Sequence, residues 1–553
     1  MDRRAFLAAY KKRKPAPAAN VKPGYRTFTG LAPYSGPWTR NEVQHLLKRT
    51  LFGSAKADID FFAALSPDDA IDTLLNPVAA LPNPPVNDYS EDVTDPGAAP
   101  GTSWVPYPSQ DEELNEYRRV SFKRWWMGVM LEQDRSIREK LTLFWADHFG
   151  TETGTIRNAT FMYRHNDLLR RDCLGNFRQL IKDVTIDAGM LIYLNGYLNE
   201  ASAPDENYAR ELMELYTLGK GPAVRYTEED VRTAAKILTG WRIDPDTFQV
   251  YFDPEKHDSS NKSFSSYYQN TTIAGRTGSA GAEETDDLVA MLLDMEETAL
   301  YLCRCLYRWF VYYEIDMAAE TNVIAPLAAI LRNNNYEIKP VLEALFRSEH
   351  FFDVLNQGCL IKSPADHVVG CMREFGVAFP ATEAEYQDAC NMWQFLVNVT
   401  AAMGQNIGDP PDVSGWPAYY QEPSFHELWI NHDTLPKRNQ FTDLMTWNGY
   451  TRDEKTISID VLAFTRTLPN AANPDALVSD ALGILYRVPL SEQARLSLKQ
   501  SILLSGQTQD YYWTNAWNGY LAEPDNEMIQ NIVGNRLKAF YQYLMNLPEY
   551  QLS

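Results

Sequence analysis

Apolar residues recur every three to four positions along most of this chain, the period of a helix that buries one face. The period is strongest from about Asn115 to Trp241. It returns over 286–316, 321–350 and 361–376, and again in a helical tail. In the last helix Ile529, Ile532, Val533, Leu537, Phe540 and Leu544 are spaced to share one buried face. The strict alternation of a half-buried strand is scarce. The pattern predicts an all-α protein, a large multi-helix body with long irregular loops and little β structure. Three stretches break it. Residues 76–110 carry Pro77, Pro82, Pro84, Pro85, Pro96 and Pro100, which forbid a long helix. Residues 244–285, rich in Asp, Ser, Asn and Gly, read as a loop with a short hairpin. Residues 404–440 form a third irregular segment dense in Gly and Pro. Residues 1–35 read as a flexible tail, and 36–553 as the helical domain.

Composition narrows the class. The chain has 553 residues, 45% hydrophobic and 22% charged, which is globular rather than disordered. Lys and Arg total 51 against 73 Asp and Glu, a net charge of −22. So acidic a chain lacks the clustered positive charge that nucleic acid demands. No apolar run approaches the roughly 20 residues of a transmembrane helix. Six cysteines with no Cys-x-x-Cys pair do not make a disulfide scaffold. Cys303 and Cys305, two apart on a helical pattern, point to different faces. Cys305 falls with Leu302, Leu306, Trp309 and Phe310 and is read as a buried thiol. The start, Met1-Asp2-Arg3-Arg4-Ala5-Phe6-Leu7, is twin-arginine-like, but Ala8-Ala9-Tyr10 runs into Lys11-Lys12-Arg13-Lys14 without the apolar stretch of a signal peptide.

Candidate chemistry sits on inward faces. Ser136 and Glu139 form a capping pattern for a helix whose Ile137, Leu141, Phe144 and His148 share one face. Asp147, one position round, is placed to orient a ring. On the next helix His165 lies inward with Phe161, Met162, Leu168 and Leu169. A third helix, predicted to start near Ser202-Ala203-Pro204-Asp205, exposes Glu206, Arg210 and Glu214 as a ladder of ion pairs. It turns Glu211 towards Tyr208, Leu215 and Leu218, where a carboxylate must be paired, metal-bound or protonated. His257-Asp258 lies in a loop. Two readings stand. His148, His165, Glu211 and His257 converge to bind zinc or iron, with Glu211 as ligand or base. Alternatively each histidine bonds a core carbonyl and Glu211 pairs with Arg164, Arg170 or Arg232. Trp416 and Trp429 are candidates for stacking on a ligand such as a sugar, against a role in covering the core. His-Glu-x-x-His, the Walker loop and Gly-x-Ser-x-Gly are all missing from the sequence.

Seven stretches in order then carry a resemblance: His45-Leu-Leu-Lys-Arg-Thr-Leu-Phe-Gly53, Arg138-Glu-Lys-Leu-Thr-Leu-Phe-Trp-Ala-Asp-His-Phe149, Asp205-Glu-Asn-Tyr-Ala-Arg-Glu-Leu-Met-Glu-Leu-Tyr-Thr-Leu-Gly219, Leu238-Thr-Gly-Trp241, His257-Asp258, Lys362-Ser-Pro364 and Pro410-Pro-Asp-Val-Ser-Gly-Trp-Pro417. They resemble the domain of unknown function 1800 family of large bacterial proteins, from about Trp38 to the C-terminus. The resemblance implies export to the periplasm or cell surface. It also implies a partner from the domain of unknown function 1501 family, which is similar to sulfatases and phosphatases. It assigns no catalytic residue.

These readings define three expectations. The first is an exported accessory or binding protein acting with a partner hydrolase, on polysaccharide. The second is a metal-dependent hydrolase or oxidoreductase with a buried His/Glu site. The third is a cytoplasmic helical scaffold.

Overall fold

The computed structural model describes residues 30–220, 225–381 and 384–553. Arg3 and Arg4 lie outside the described residues, so the twin-arginine-like start has no structural counterpart here. Helix accounts for 57% and strand for 5%, so the protein is all-α as the periodicity predicts.

Side-chain caps set most of the helix starts that matter for the site. Thr39 and Glu42 make a reciprocal capping box for α1, Arg40–Thr50. Asp111 caps α2, Glu112–Leu131, by accepting from the Leu114 N–H. The next helix, α3 (Arg138–His148), begins differently from expectation. Ser136 accepts only a long bond from the Arg138 N–H, 3.4 Å, and Glu139 does not reach back to the backbone. The Glu139 carboxylate instead takes the Arg170 guanidinium of α4 (Ala159–Arg171) at 2.7 and 3.0 Å. A charge-assisted fork outcompetes a single backbone N–H.

The third predicted helix starts later than expected, at Asn207 rather than Ser202. Residues 201–203 are a turn bridged by Glu200 and Ala203, and Asp205 Oδ1 accepts from the Asn207 N–H at 2.8 Å. This helix, α5 (Asn207–Glu211), widens into a π-helical turn over Leu212–Thr217. The predicted ladder is present. Arg210 bonds Glu206 at 3.0 Å and Glu214 at 3.3 Å, and adds Glu228 at 2.7 Å.

The 244–285 region holds two antiparallel hairpins where one was expected. β1 (Trp241–Ile243) pairs with β2 (Val250–Phe252), and β3 (Lys262–Ser263) pairs with β4 (Thr272–Ile273). Further on come α6 (Glu296–Phe310), α7 (Pro364–Glu374) and α8 (Tyr386–Ala402). Ser363 caps α7 with Pro364 in its first turn, which explains the Lys362-Ser-Pro364 stretch. The irregular segment after α8 ends sooner than predicted, because a helix over Thr434–Trp447 has already begun. The proline-rich 76–110 loop contains no helix. It is held by the buried pair of Asp95 with Arg118 of α2, 2.7 Å.

The apolar core is assembled from the whole length, with buried members from Val43 to Tyr550. In the last long helix, α9 (Glu527–Met545), Val533, Leu537, Phe540 and Leu544 are buried as predicted. Ile532 is not: it is 48% exposed, one position off the stripe that meets the core. Of the two neighbouring thiols, Cys303 is the core residue and Cys305 is only half-buried. The two do point apart, but with the opposite assignment to that expected. Among the described residues no helix is long and apolar enough to cross a membrane.

Candidate functional site

A cavity of about 680 Å³ opens where several distant stretches meet. α1 contributes Lys48 and Arg49. The end of α3 contributes Phe144, Asp147 and His148. α6 presents Tyr301, Arg304, Cys305 and Arg308, the i, i+3, i+4, i+7 spacing of one helix face. The segment from Ser414 to Trp429 closes the far side with Tyr419, Phe425, His426 and Trp429. Aromatic rings build one wall: Tyr419 lies 4.2 Å from Trp309 and meets Trp429 edge-on at 5.6 Å.

The loop over 404–417 reaches the end of α3 through two contacts. The Trp416 N–H donates to Asp147 Oδ1 at 2.8 Å. Gly415 sits at φ +86°, and a Cβ there would lie 2.3 Å from that same oxygen, so only glycine fits. Asp147 therefore anchors a backbone turn; it does not orient a ring. Burial, opposed by the Trp416 N–H and reinforced by Asp412, pushes its carboxyl well above the usual carboxylate range. His148, half-buried among Phe144, Trp145 and Phe149, donates from Nε2 to the Tyr216 carbonyl at 3.2 Å. Burial pushes its pKa down to about 4, so it is neutral at pH 7.

The cationic lining divides into two sets. Lys48 pairs with Glu374, Lys140 with Asp366, Arg304 with Glu297 at 2.6 Å and Lys220 with Glu214 at 3.3 Å. Arg49 and Arg308 pair with no carboxylate among the described residues. Arg49 is 2% exposed. Its Nη2 is anchored on the Asn356 carbonyl and Cys359 Sγ, while its Nε and Nη1 have no partner.

The four predicted metal residues do not come together. Among the described residues no group of three or more His, Cys, Asp or Glu side chains is placed to hold a metal ion. His165 donates from Nδ1 to Asp187 at 3.0 Å, and Asp187 also caps the following helix. His257 donates from Nδ1 to the Thr239 carbonyl at 2.9 Å and sits 3.2 Å from Glu284 through Nε2. Glu211 is half-buried, with its carboxyl raised by burial and Oε2 unpartnered, and it is not among the cavity residues. Its expected arginines are engaged elsewhere: Arg164 with the Phe248 carbonyl, Arg170 with Glu139, and Arg232 with Glu206 and Glu229. Each predicted residue is inward or semi-buried, but each is satisfied by, or isolated among, its own neighbours. Zinc or iron therefore finds no shared ligand set in these four. The tryptophans separate as well. Trp416 is 1% exposed and belongs to the core, whereas Trp429 does line the cavity.

Residues 45–552 match the family described as "Protein of unknown function (DUF1800)". The chain belongs to the DUF1800 family. No curated protein and no solved structure matches it. Within this DUF1800 chain the recurring stretches mostly tie distant segments together. Thr239 of Leu238–Trp241 binds His257 through its carbonyl and the Asp258 N–H through Oγ1, so those two stretches form one corner. The Arg138–Phe149 stretch supplies the Glu139–Arg170 fork, the Lys140–Asp366 pair and the Asp147 anchor. Arg49, Arg308, Tyr301 and His426 were not singled out from sequence. The available signal was the face shared by Tyr301, Arg304, Cys305 and Arg308, and the Lys48-Arg49 pair set between Leu46-Leu47 and Leu51-Phe52.

Proposed function

We propose that this protein is an exported bacterial binding protein that serves a sulfatase- or phosphatase-like partner in polysaccharide use, and that the cavity holds its ligand. The observation that carries this reading is the cavity itself. Its volume falls within the roughly 300–1,000 Å³ of small-molecule sites, and it joins an aromatic wall to a few convergent polar groups. Trp309, Tyr419 and Trp429 offer the flat apolar faces on which sugar rings stack. The twin-arginine-like start and the family resemblance support export and partnership. A native pull-down is expected to recover the hydrolase from the envelope fraction. Calorimetric titration with oligosaccharides is expected to show binding that Tyr419→Ala removes. Recovery of the protein in the cytoplasm with no hydrolase overturns the accessory reading in favour of a scaffold.

A second reading, an enzyme, is favoured by Asp147. A cavity-wall carboxyl whose pKa burial raises is a candidate general acid. Turnover of a saccharide ester by the purified protein alone, lost in Asp147→Asn, selects this reading; no turnover selects binding.

A further inference from the structure

We infer that one end of the cavity is an oxyanion subsite, built by Arg49, Arg308 and His426, and that the ligand carries a sulfate, phosphate or carboxylate group. The inference rests on the reading of the cavity as the ligand site and specifies what that site recognises.

Three observations converge. Arg49 is buried with its plane fixed, because Nη2 is held by the Asn356 carbonyl at 2.8 Å and Cys359 Sγ at 3.3 Å. Its Nε–H and Nη1–H face no acceptor among the described residues. His426 is the second donor. Its Nδ1 accepts from the Ile361 N–H at 3.1 Å, so the ring proton of the neutral tautomer is on Nε2, and Nε2 is buried without a partner. Arg308 is the third. It is half-buried, its guanidinium lies 5.1 Å over the Phe425 ring, and its Nε–H makes only a long bond to the Tyr313 carbonyl, 3.4 Å.

Shared neighbours place the three at one end. The Tyr313 ring packs 4.7 Å from His426, Phe425 precedes His426 in the chain, and Cys359 joins Arg49 to the Val311 carbonyl. The charge of Arg49 also acts on His426 and helps hold it neutral at pH 7. Water satisfies unpaired donors but does not neutralise two guanidinium charges, and a buried charge calls for a counter-charge. Of the carboxylates around the cavity, Asp366 and Glu297 are taken by Lys140 and Arg304, and the exposed Glu422 pairs with neither arginine. Guanidinium geometry matches carboxylate, phosphate and sulfate oxygens, and charge-assisted bonds of this kind are the strong ones. In a chain of net charge −22, two unpaired buried or half-buried arginines at one cavity end are a local reversal of sign.

The test is titration calorimetry on the full chain in a low-salt chloride buffer, with inorganic sulfate, inorganic phosphate and acetate as probes, followed by glucose, glucuronate, a glucose phosphate and a glucose sulfate. The expected result is one anion per chain. Arg308→Met and Arg49→Lys are each expected to weaken binding about tenfold or more, the loss of one charge-assisted contact, while exposed Arg452→Met leaves it unchanged. The preferred probe identifies the source as sulfate ester, phosphate ester or uronate. Arg308→Met stands at a half-buried position, so the inference does not depend on Arg49 variants folding. Anion binding no stronger than chloride, or binding untouched by both variants, overturns the subsite. If glucose then binds and Tyr419→Ala abolishes it, the cavity reading survives and only the oxyanion inference fails. If anions bind as expected and no hydrolase is recovered, the subsite stands and the partner reading fails.

Discussion

Two buried clusters in this protein treat charge in opposite ways. Behind the β3–β4 hairpin, Glu284 receives Lys262 Nζ at 2.6 Å and the Arg276 N–H at 2.6 Å, with Lys262 and Glu284 side chains fully buried. Both charges there are paired, although the neighbouring His257 Nε2 makes no hydrogen bond. At the cavity end, Arg49 is as deeply buried but keeps two donors free, and His426 keeps one. The first cluster locks a loop to a helix start. The second leaves bonding capacity unused in residues that line the cavity. Burial alone therefore does not separate structural from functional polar groups. What separates these two clusters is whether the buried charge has its counter-charge.

The contrast predicts unequal costs. Glu284→Gln strands a buried ammonium and is expected to cost about 3–5 kcal/mol, the usual penalty for breaking a buried pair. Urea denaturation followed by circular dichroism reads it. The double variant Glu284→Gln with Lys262→Met is expected to recover much of the loss, because it removes the stranded charge as well. A single-variant cost under about 1 kcal/mol would show the cluster to be as open as the cavity end and would erase the comparison.

Gly415→Ala comes next. The residue combines φ +86° with a Cβ position 2.3 Å from Asp147 Oδ1. A non-glycine residue in this backbone region costs about 1–3 kcal/mol before any clash is counted. The same denaturation series should place this variant below Glu284→Gln. Ligand titration should show weaker binding too, since Trp416 and the cavity wall beyond it shift with the turn.

Arg49→Met sharpens the contrast from the other side. It removes an unpaired buried charge and substitutes an apolar chain of similar reach, so the stability change is expected to stay within about 1.5 kcal/mol. Its cost should be far smaller than that of Glu284→Gln although both residues are buried. A loss of about 3 kcal/mol or more would mean that Arg49 is paired in solution, and that the cavity end is structural.

How much of this was legible in the sequence depends on what periodicity reports. It tells which face of a helix is inward. That was enough for the all-α class, for the Glu206–Arg210–Glu214 ladder and for the inward placement of His165. It does not tell which face lies opposite. His165 found Asp187, only 22 positions along, and His257 found Thr239, 18 positions back, so each candidate bonds its own neighbours. The cavity was hidden for the same reason. Its walls come from α1, α3, α6 and the 215–220, 360–366 and 414–429 segments, which lie far apart in the sequence. Arg49 was further disguised by its position. A basic pair in the last turn of a helix reads as a favourable end charge in solvent, and here Lys48 and Arg49 are both buried.

The groups that titrate around the cavity do so in opposing directions. His148 and His426 are pushed down to about 4, against about 6.5 in an unfolded chain. Between those values the unfolded state binds more protons, so their contribution to stability rises with pH and is lost on acidification from about 6.5 to about 4. Asp147 runs the other way. Its folded carboxyl is raised, by burial first and Asp412 second, and Tyr301, Cys305, Tyr419 and Tyr420 lie close enough to feel its charge. The folded state keeps a proton that the unfolded chain releases near 3.8, so this contribution is present at low pH and disappears as pH rises through the folded value. Asp147→Asn keeps an oxygen for the Trp416 N–H and removes the titration. It is therefore expected to match the parent near pH 4 and to exceed it at pH 8, by about 1.4 kcal/mol for each pH unit through which the carboxyl is raised. Urea midpoints of both proteins at the two pH values decide this. An Asn variant weaker than the parent at pH 8 would mean that the Asp147 charge is held by a partner, and the cavity would then have two satisfied walls instead of one.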